Sequence, residues 1–218
     1  MLLKTIVAAK EPAVGLEEVK SNLRIDSDTE DPMLTLYLMA AIQMIEEGTA
    51  RCMMTQQFTQ VMDTFPGQED RLYSLETPGA GNSPIILLRG PVTAVGAIRY
   101  VDVNSTDGVT LTTWQAVNYL NSLTDEPARI TPLYPLVYPI TYPRMNAVEV
   151  DFTAGYAEQA LIPAAMKMLV HLVVAHFYEN REPVAQAGGA NLADLPKNLQ
   201  AMILGQAIHY SDDLTMVR

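Results

Sequence analysis

The sequence is poor in several things a protein can rely on. It has a single cysteine, Cys52, among 218 residues, so no intrachain disulfide can form and packing must hold the fold. Cations are scarce: 14 Lys and Arg stand against 25 Asp and Glu, a formal charge of −11. Such a surface repels phosphate and excludes the usual electrostatic mode of nucleic-acid binding. No apolar run reaches the ~20 residues that span a bilayer. The longest, Pro163 to Tyr178, is broken by Lys167, His171 and His176. The apolar stretch near the start, Thr5 to Ala9, is too short for a secretory signal. A protein made in the cytoplasm, away from membranes, is expected.

Recognisable chemistry is also missing. The sequence contains no HExxH, CxxC, GxSxG, P-loop or GxGxxG. His171 and His176 are five apart and do not share a helix face, and His209 is the only other histidine. The pairs Glu17-Glu18, Glu46-Glu47 and Asp125-Glu126 are adjacent residues whose side chains point apart, which suits solvated surface better than acid–base work. Asp26, Asp28, Glu30 and Asp31 resemble the start of a calcium loop but lack its central glycine and closing glutamate. No catalytic residue, cofactor or metal is assigned, and no enzymatic activity is expected. Trp114 and the tyrosines from Tyr134 to Tyr142 could stack on a sugar, although packing or an oligomer interface is the commoner use of aromatics.

What is present is a large apolar fraction, 49%, in a pattern that changes along the chain. Helical spacing of Leu16, Val19, Lys20 and Leu23 predicts a short first helix to about Arg24. Asp31-Pro32 predicts the start of a second, running to about Gly48. Its face of Leu34, Leu38, Ala41, Ile42 and Ile45 is widened by Met33, Leu36, Met39 and Met44, which implies burial on more than one side. From Gln56 to Tyr156 the composition turns to threonine, valine, tyrosine and proline. Strands are predicted at Phe58–Thr64, Ile85–Arg89, Ala94–Val103, Gln115–Leu120 and Ala147–Phe152. The tract Pro132 to Pro143 holds four prolines and reads as an extended loop or edge. Ala164 to Tyr178 is apolar nearly all round and predicts a central helix. A glycine-containing loop, Val184 to Asp194, precedes a last helix from Lys197 to about Tyr210 and a tail, Ser211 to Arg218.

The expected architecture is therefore α+β. Residues 1–55 and 157–218 form a discontinuous, four-helix, bundle-like domain, and 56–156 form a β-rich domain inserted between the second and third helices.

Several segments carry a family resemblance. They are Leu16-Glu-Glu-Val-Lys-Ser-Asn-Leu-Arg-Ile-Asp26, Ala41 to Arg51, Leu87-Leu-Arg-Gly-Pro-Val92, Ile98-Arg-Tyr-Val-Asp102, Ala147 to Tyr156, Ile162-Pro163 and Phe177-Tyr-Glu-Asn-Arg-Glu182. In that order they resemble the head–tail connector proteins of tailed bacteriophages, also called adaptor or head-completion proteins. The acidic, glycine-containing segment Gln68 to Ser83 and the proline–tyrosine tract depart from the family pattern. The resemblance implies a structural adaptor of the virion neck, forming a ring, usually twelve-fold, that docks beneath the portal after DNA packaging. Implied partners are further copies of itself, the portal and the next neck or tail protein (stopper, terminator or tail tube), with DNA passing through the channel unbound. It implies portal docking through the C-terminal helix and tail, here Leu199, Met202, Ile203, Ile208, His209, Tyr210, Leu214 and Met216. The alternative is a carbohydrate- or protein-binding module that uses the β-rich domain, and a hydrolase with an unrecognised site is a third reading.

Overall fold

The computed structural model describes residues 1–68, 83–180 and 195–210. Four α-helices and eight strands lie among them, in a mixed α+β chain that divides into two compact units. One comprises Ala9–Thr55 and Tyr156–Ile208; the other comprises Met1–Ala8, Gln56–Gly155 and the C-terminal end from His209.

The helical unit begins with α1, Leu16–Leu23, and α2, Asp31–Thr49. Arg24 closes α1 in the left-handed conformation (φ 58°), and the Ile25 N–H donates to Lys20 O at 3.0 Å. Pro32 occupies the first turn of α2, where its missing N–H costs nothing. The Thr49 hydroxyl donates back to Ile45 O at 2.7 Å as the helix ends. The third helix, α3, is Ala164–Glu179, and the fourth, α4, is Lys197–Gly205. Their shared core is aliphatic and methionine-rich: Leu38, Ile45, Met53, Met166, Leu169, Val173 and Ile203 are all buried. α4 stops at Gly205, short of the expected Tyr210. The reason is tertiary: the Ile208 N–H donates 2.9 Å to Thr49 O at the end of α2, which draws the chain off the helical path.

The other unit is built on an antiparallel sheet in the order β1-β2-β8-β4-β5. Its strands are β1 Leu2–Val7, β2 Gln56–Met62, β4 Val92–Val101, β5 Leu111–Trp114 and β8 Val148–Ala154. A second sheet, β3-β7-β6, uses Ile85–Ile86, Arg129–Pro132 and Tyr119–Ser122. Period-two alternation gives the large sheet two unlike faces. Phe58, Gln60, Met62, Ile98, Tyr100, Val150 and Phe152 share the buried face. They meet an aromatic cluster in which Phe65 stacks on Tyr138 at 4.8 Å and lies 5.7 Å from Trp114. Gln60 is fully buried, and its amide accepts from Leu88 N–H and donates to Ile86 O, bridging the two sheets.

Several expectations change here. Residues 2–7, expected with the helices, are instead the edge strand β1. The run Gln115–Leu120 splits, because a 3-10 turn at Ala116–Asn118 separates β5 from β6. The strand expected over Ile85–Arg89 keeps only its first two residues. Gly108 turns the chain between β4 and β5 at φ +62°, where a Cβ would come within 2.9 Å of the Tyr142 ring. The Val184–Asp194 loop and the Ser211–Arg218 tail fall outside the described residues.

Candidate functional site

A concavity lies on the open face of the large sheet, a pocket of about 380 Å³ lined by residues that include Gln57, Thr59, Gly96, Arg99, Asp151 and Thr153. Cross-strand register builds it: Thr59 pairs with Asp151, and Arg99 with Glu149. The Arg99 guanidinium reaches both neighbouring carboxylates, 2.8 Å to Asp151 and 3.1 Å to Glu149, and the Thr59 hydroxyl donates to Asp151 at 2.6 Å. Irregular pairing of β4 between Val95 and Ile98 brings Gly96 so near β8 that a Cβ there would meet Asp151 Cβ at 3.1 Å. Both carboxylates are thus tied to one guanidinium. The cluster offers neither a free acid–base pair nor a nucleophile, and it reads as a cross-strand ion ladder.

Two other clusters resolve in the same direction. While Glu30 accepts from the Tyr178 hydroxyl, two carboxylates of the acidic run after α1 converge on the buried ammonium of Lys20, which bonds Asp28 and lies 3.0 Å from Asp31. Those bonds hold the Asp28 carboxyl below its ordinary range and push Lys20 up. A protein cation therefore sits where a calcium-loop reading would place a metal. Asp107 accepts from Ser105, from the Thr110 hydroxyl and from the backbone N–H groups of Val109 and Thr110. Its carboxyl is held far below the usual range for that reason, as the organiser of a turn. Among the described residues no group of three or more His, Cys, Asp and Glu could hold a metal ion, and no helix is long and apolar enough to cross a membrane.

The aromatics proposed for sugar stacking are largely internal. Trp114 is buried against Phe65, Tyr138 and Tyr119. The Tyr138 hydroxyl, itself inside, donates to backbone oxygens of Ser83 or Ile130, and burial raises its pKa. Only Tyr134 stands fully out, 92% exposed. A lone exposed ring is not a stacking platform, which removes the support for the carbohydrate alternative.

Apolar side chains are exposed as well. Met33, Leu36 and Met39 project from α2, although their number in the sequence implied burial on several sides. Val117, Leu120, Leu133, Tyr134, Leu136 and Val137 are exposed around β6 and the end of β7. The Leu133 N–H donates to Asn118 O, which holds these two segments side by side. Of the C-terminal docking set, Leu199 and Ile203 are in the helical core and Ile208 is buried, while Met202 and His209 face solvent and Tyr210 is half-buried. Leu214 and Met216 lie outside the described residues.

Comparison with known proteins gives one family match. Residues 14–70 match the family described as phage gp6-like head-tail connector protein. No curated protein matches the chain. Among solved structures, a chain of the neck of an empty GTA particle computed with C6 symmetry has 25% identity and a TM-score of 0.68, over 96% of this chain and 97% of that one. A chain of the virion of the native gene transfer agent (GTA) particle matches over the same shares, with 24% identity and a TM-score of 0.67. A chain of the neck of the native GTA particle computed with C12 symmetry, again over the same shares, has 24% identity and a TM-score of 0.65. These findings support the phage head–tail connector family that the sequence resembles.

Proposed function

We propose that this protein is a structural adaptor of a phage-like neck: a ring, twelve-fold in its final state, that docks under the portal after DNA packaging and joins head to tail. The observation that carries the reading is the fold likeness over 96% of the chain to a chain of a particle neck, with the connector-family match at residues 14–70 beside it. The C12 symmetry named for one of the matched necks favours twelve copies. The role is structural rather than catalytic, in the virion after assembly in the host cytoplasm, with DNA passing through an acidic channel that does not hold it.

In this reading the helical unit is one domain into which the chain from 56 to 155 is inserted. Portal docking falls to the outward Met202 of α4, to His209 and Tyr210 beyond it, and to Leu214 and Met216 of the tail, while Leu199 and Ile203 hold α4 in the helical core and Ile208 is buried past its end. The test adds purified protein to DNA-filled heads that lack their connector. The expected results are twelve-fold rings seen on those heads by negative-stain microscopy, and recovery of particles able to join tails. Removing residues 211–218 should leave the fold intact and weaken attachment. Heads that gain neither ring nor tail would overturn the adaptor reading; full recovery with the truncated chain would overturn the docking assignment alone.

A further inference from the structure

Two groups of exposed apolar residues lie within long uncharged stretches of the chain. No Asp, Glu, Lys or Arg occurs between Asp31 and Glu46, between Asp107 and Asp125, or between Arg129 and Arg144. The first stretch presents Met33, Leu36 and Met39 at i, i+3 and i+6 on α2. The other two meet through the β6–β7 pairing and present Val117, Leu120, Leu133, Tyr134, Leu136 and Val137.

Charge says what can cover such surfaces. Copies of a chain at −11 repel one another through acidic faces. A basic partner would choose those acidic faces and gain nothing at an uncharged one. Uncharged apolar surface is where a like-charged copy can be buried. Closed rings of more than two members also need two different surfaces per subunit, because each contact is head to tail. Among the described residues the α2 stripe and the β6–β7 surface are two unlike surfaces of this kind, one in each compact unit.

We propose that the α2 stripe of one copy packs against the β6–β7 surface of the next, and that this contact repeats around the ring. The inference rests on the ring reading above and adds the residues that close it. Methionine on one side adapts to its neighbour's shape, and Tyr134 on the other is an anchor with a polar tip.

Two variants test it: Leu36→Glu on the stripe and Tyr134→Glu on the opposing surface. Both positions are exposed, so each chain should keep wild-type far-ultraviolet dichroism and Trp114 fluorescence. In sedimentation velocity over a concentration series, each variant alone should self-associate roughly tenfold more weakly than wild type or worse. An equimolar mixture should form one-to-one dimers and nothing larger, because each variant supplies the half-contact the other lacks. Three results would overturn the proposal: either variant assembling as wild type does, either dimerising alone as tightly as the equimolar mixture does, or wild type staying monomeric at its solubility limit. Connector-free heads separate this from the adaptor reading. If wild type and both variants restore tail joining equally, the contact is wrong and the adaptor role stands. If wild type restores nothing, the adaptor role fails whatever the sedimentation shows.

Discussion

The helical unit and the sheet unit bury polar groups by opposite means. Lys20, buried at the end of α1, finds its carboxylate partner Asp28 eight residues along the chain. Gln60, buried on β2, is satisfied by the backbone of Ile86 and Leu88, 26 and 28 residues away. The cores differ likewise. One is aliphatic and methionine-filled; the other turns on Phe65, Trp114 and Tyr138, brought together from distant segments. The aliphatic and methionine side chains of the helical core make it tolerant of small errors in packing. The sheet unit depends on cross-strand register and on rings of fixed geometry, so a single lost group there disturbs more.

The largest expected effect comes from Phe65→Ala, which removes the ring stacked on Tyr138 and should cost about 3–5 kcal/mol. Trp114 is the only tryptophan, so its fluorescence reports the sheet unit while far-ultraviolet dichroism reports mainly the helices. The fluorescence midpoint in urea should fall further than the dichroism midpoint. Coincident shifts would mean that the units unfold together and would erase the contrast. Leu169→Ala in the helical core should cost about 2–5 kcal/mol, with the order of the two midpoints reversed.

Gln60→Leu should cost about 1–3 kcal/mol in the same fluorescence assay, because the Leu88 N–H and Ile86 C=O lose their partner in a dry site. A neutral result would show that water reaches that site. Lys20→Met should have the smallest effect, since Asp28 is largely exposed. Its pH dependence has a definite sign. Asp28 is held below its ordinary value of 3.8, so its pairing stabilises above that pH and is lost as pH falls through the lowered value. Lys20 is raised, so its share is lost only in strong alkali, above its ordinary 10.5. The difference between wild type and variant should therefore be constant near neutrality and shrink in acid. A difference that grows in acid would reverse the assignment.

Much of the helical unit was legible. Asp31-Pro32 marks α2, the apolar run after Pro163 marks α3, and Lys197 opens α4, because each is a local signal of capping and periodicity. The end of α4 was not legible, since the Thr49 carbonyl that draws Ile208 away lies far back in the sequence. In the sheet unit, β4 and β8 were visible as β-branched runs. β1 was not: Leu2–Val7 becomes a strand only by pairing with β2 across some fifty residues. The candidate surfaces were half visible. The sequence showed that α2 had more apolar residues than one face needs, and the fold decided which of them point outward.

The sequence by itself determined the acidic charge, the absence of disulfide and recognised catalytic chemistry, the α+β class and the family resemblance. Each follows from composition or from residues close together in the chain. Only the tertiary structure decided that Trp114 and Tyr138 are internal and Met33, Leu36 and Met39 external, and that Lys20 stands among the acidic residues of the α1–α2 connection. Burial is a property of what packs against a side chain, and those neighbours arrive from other parts of the chain.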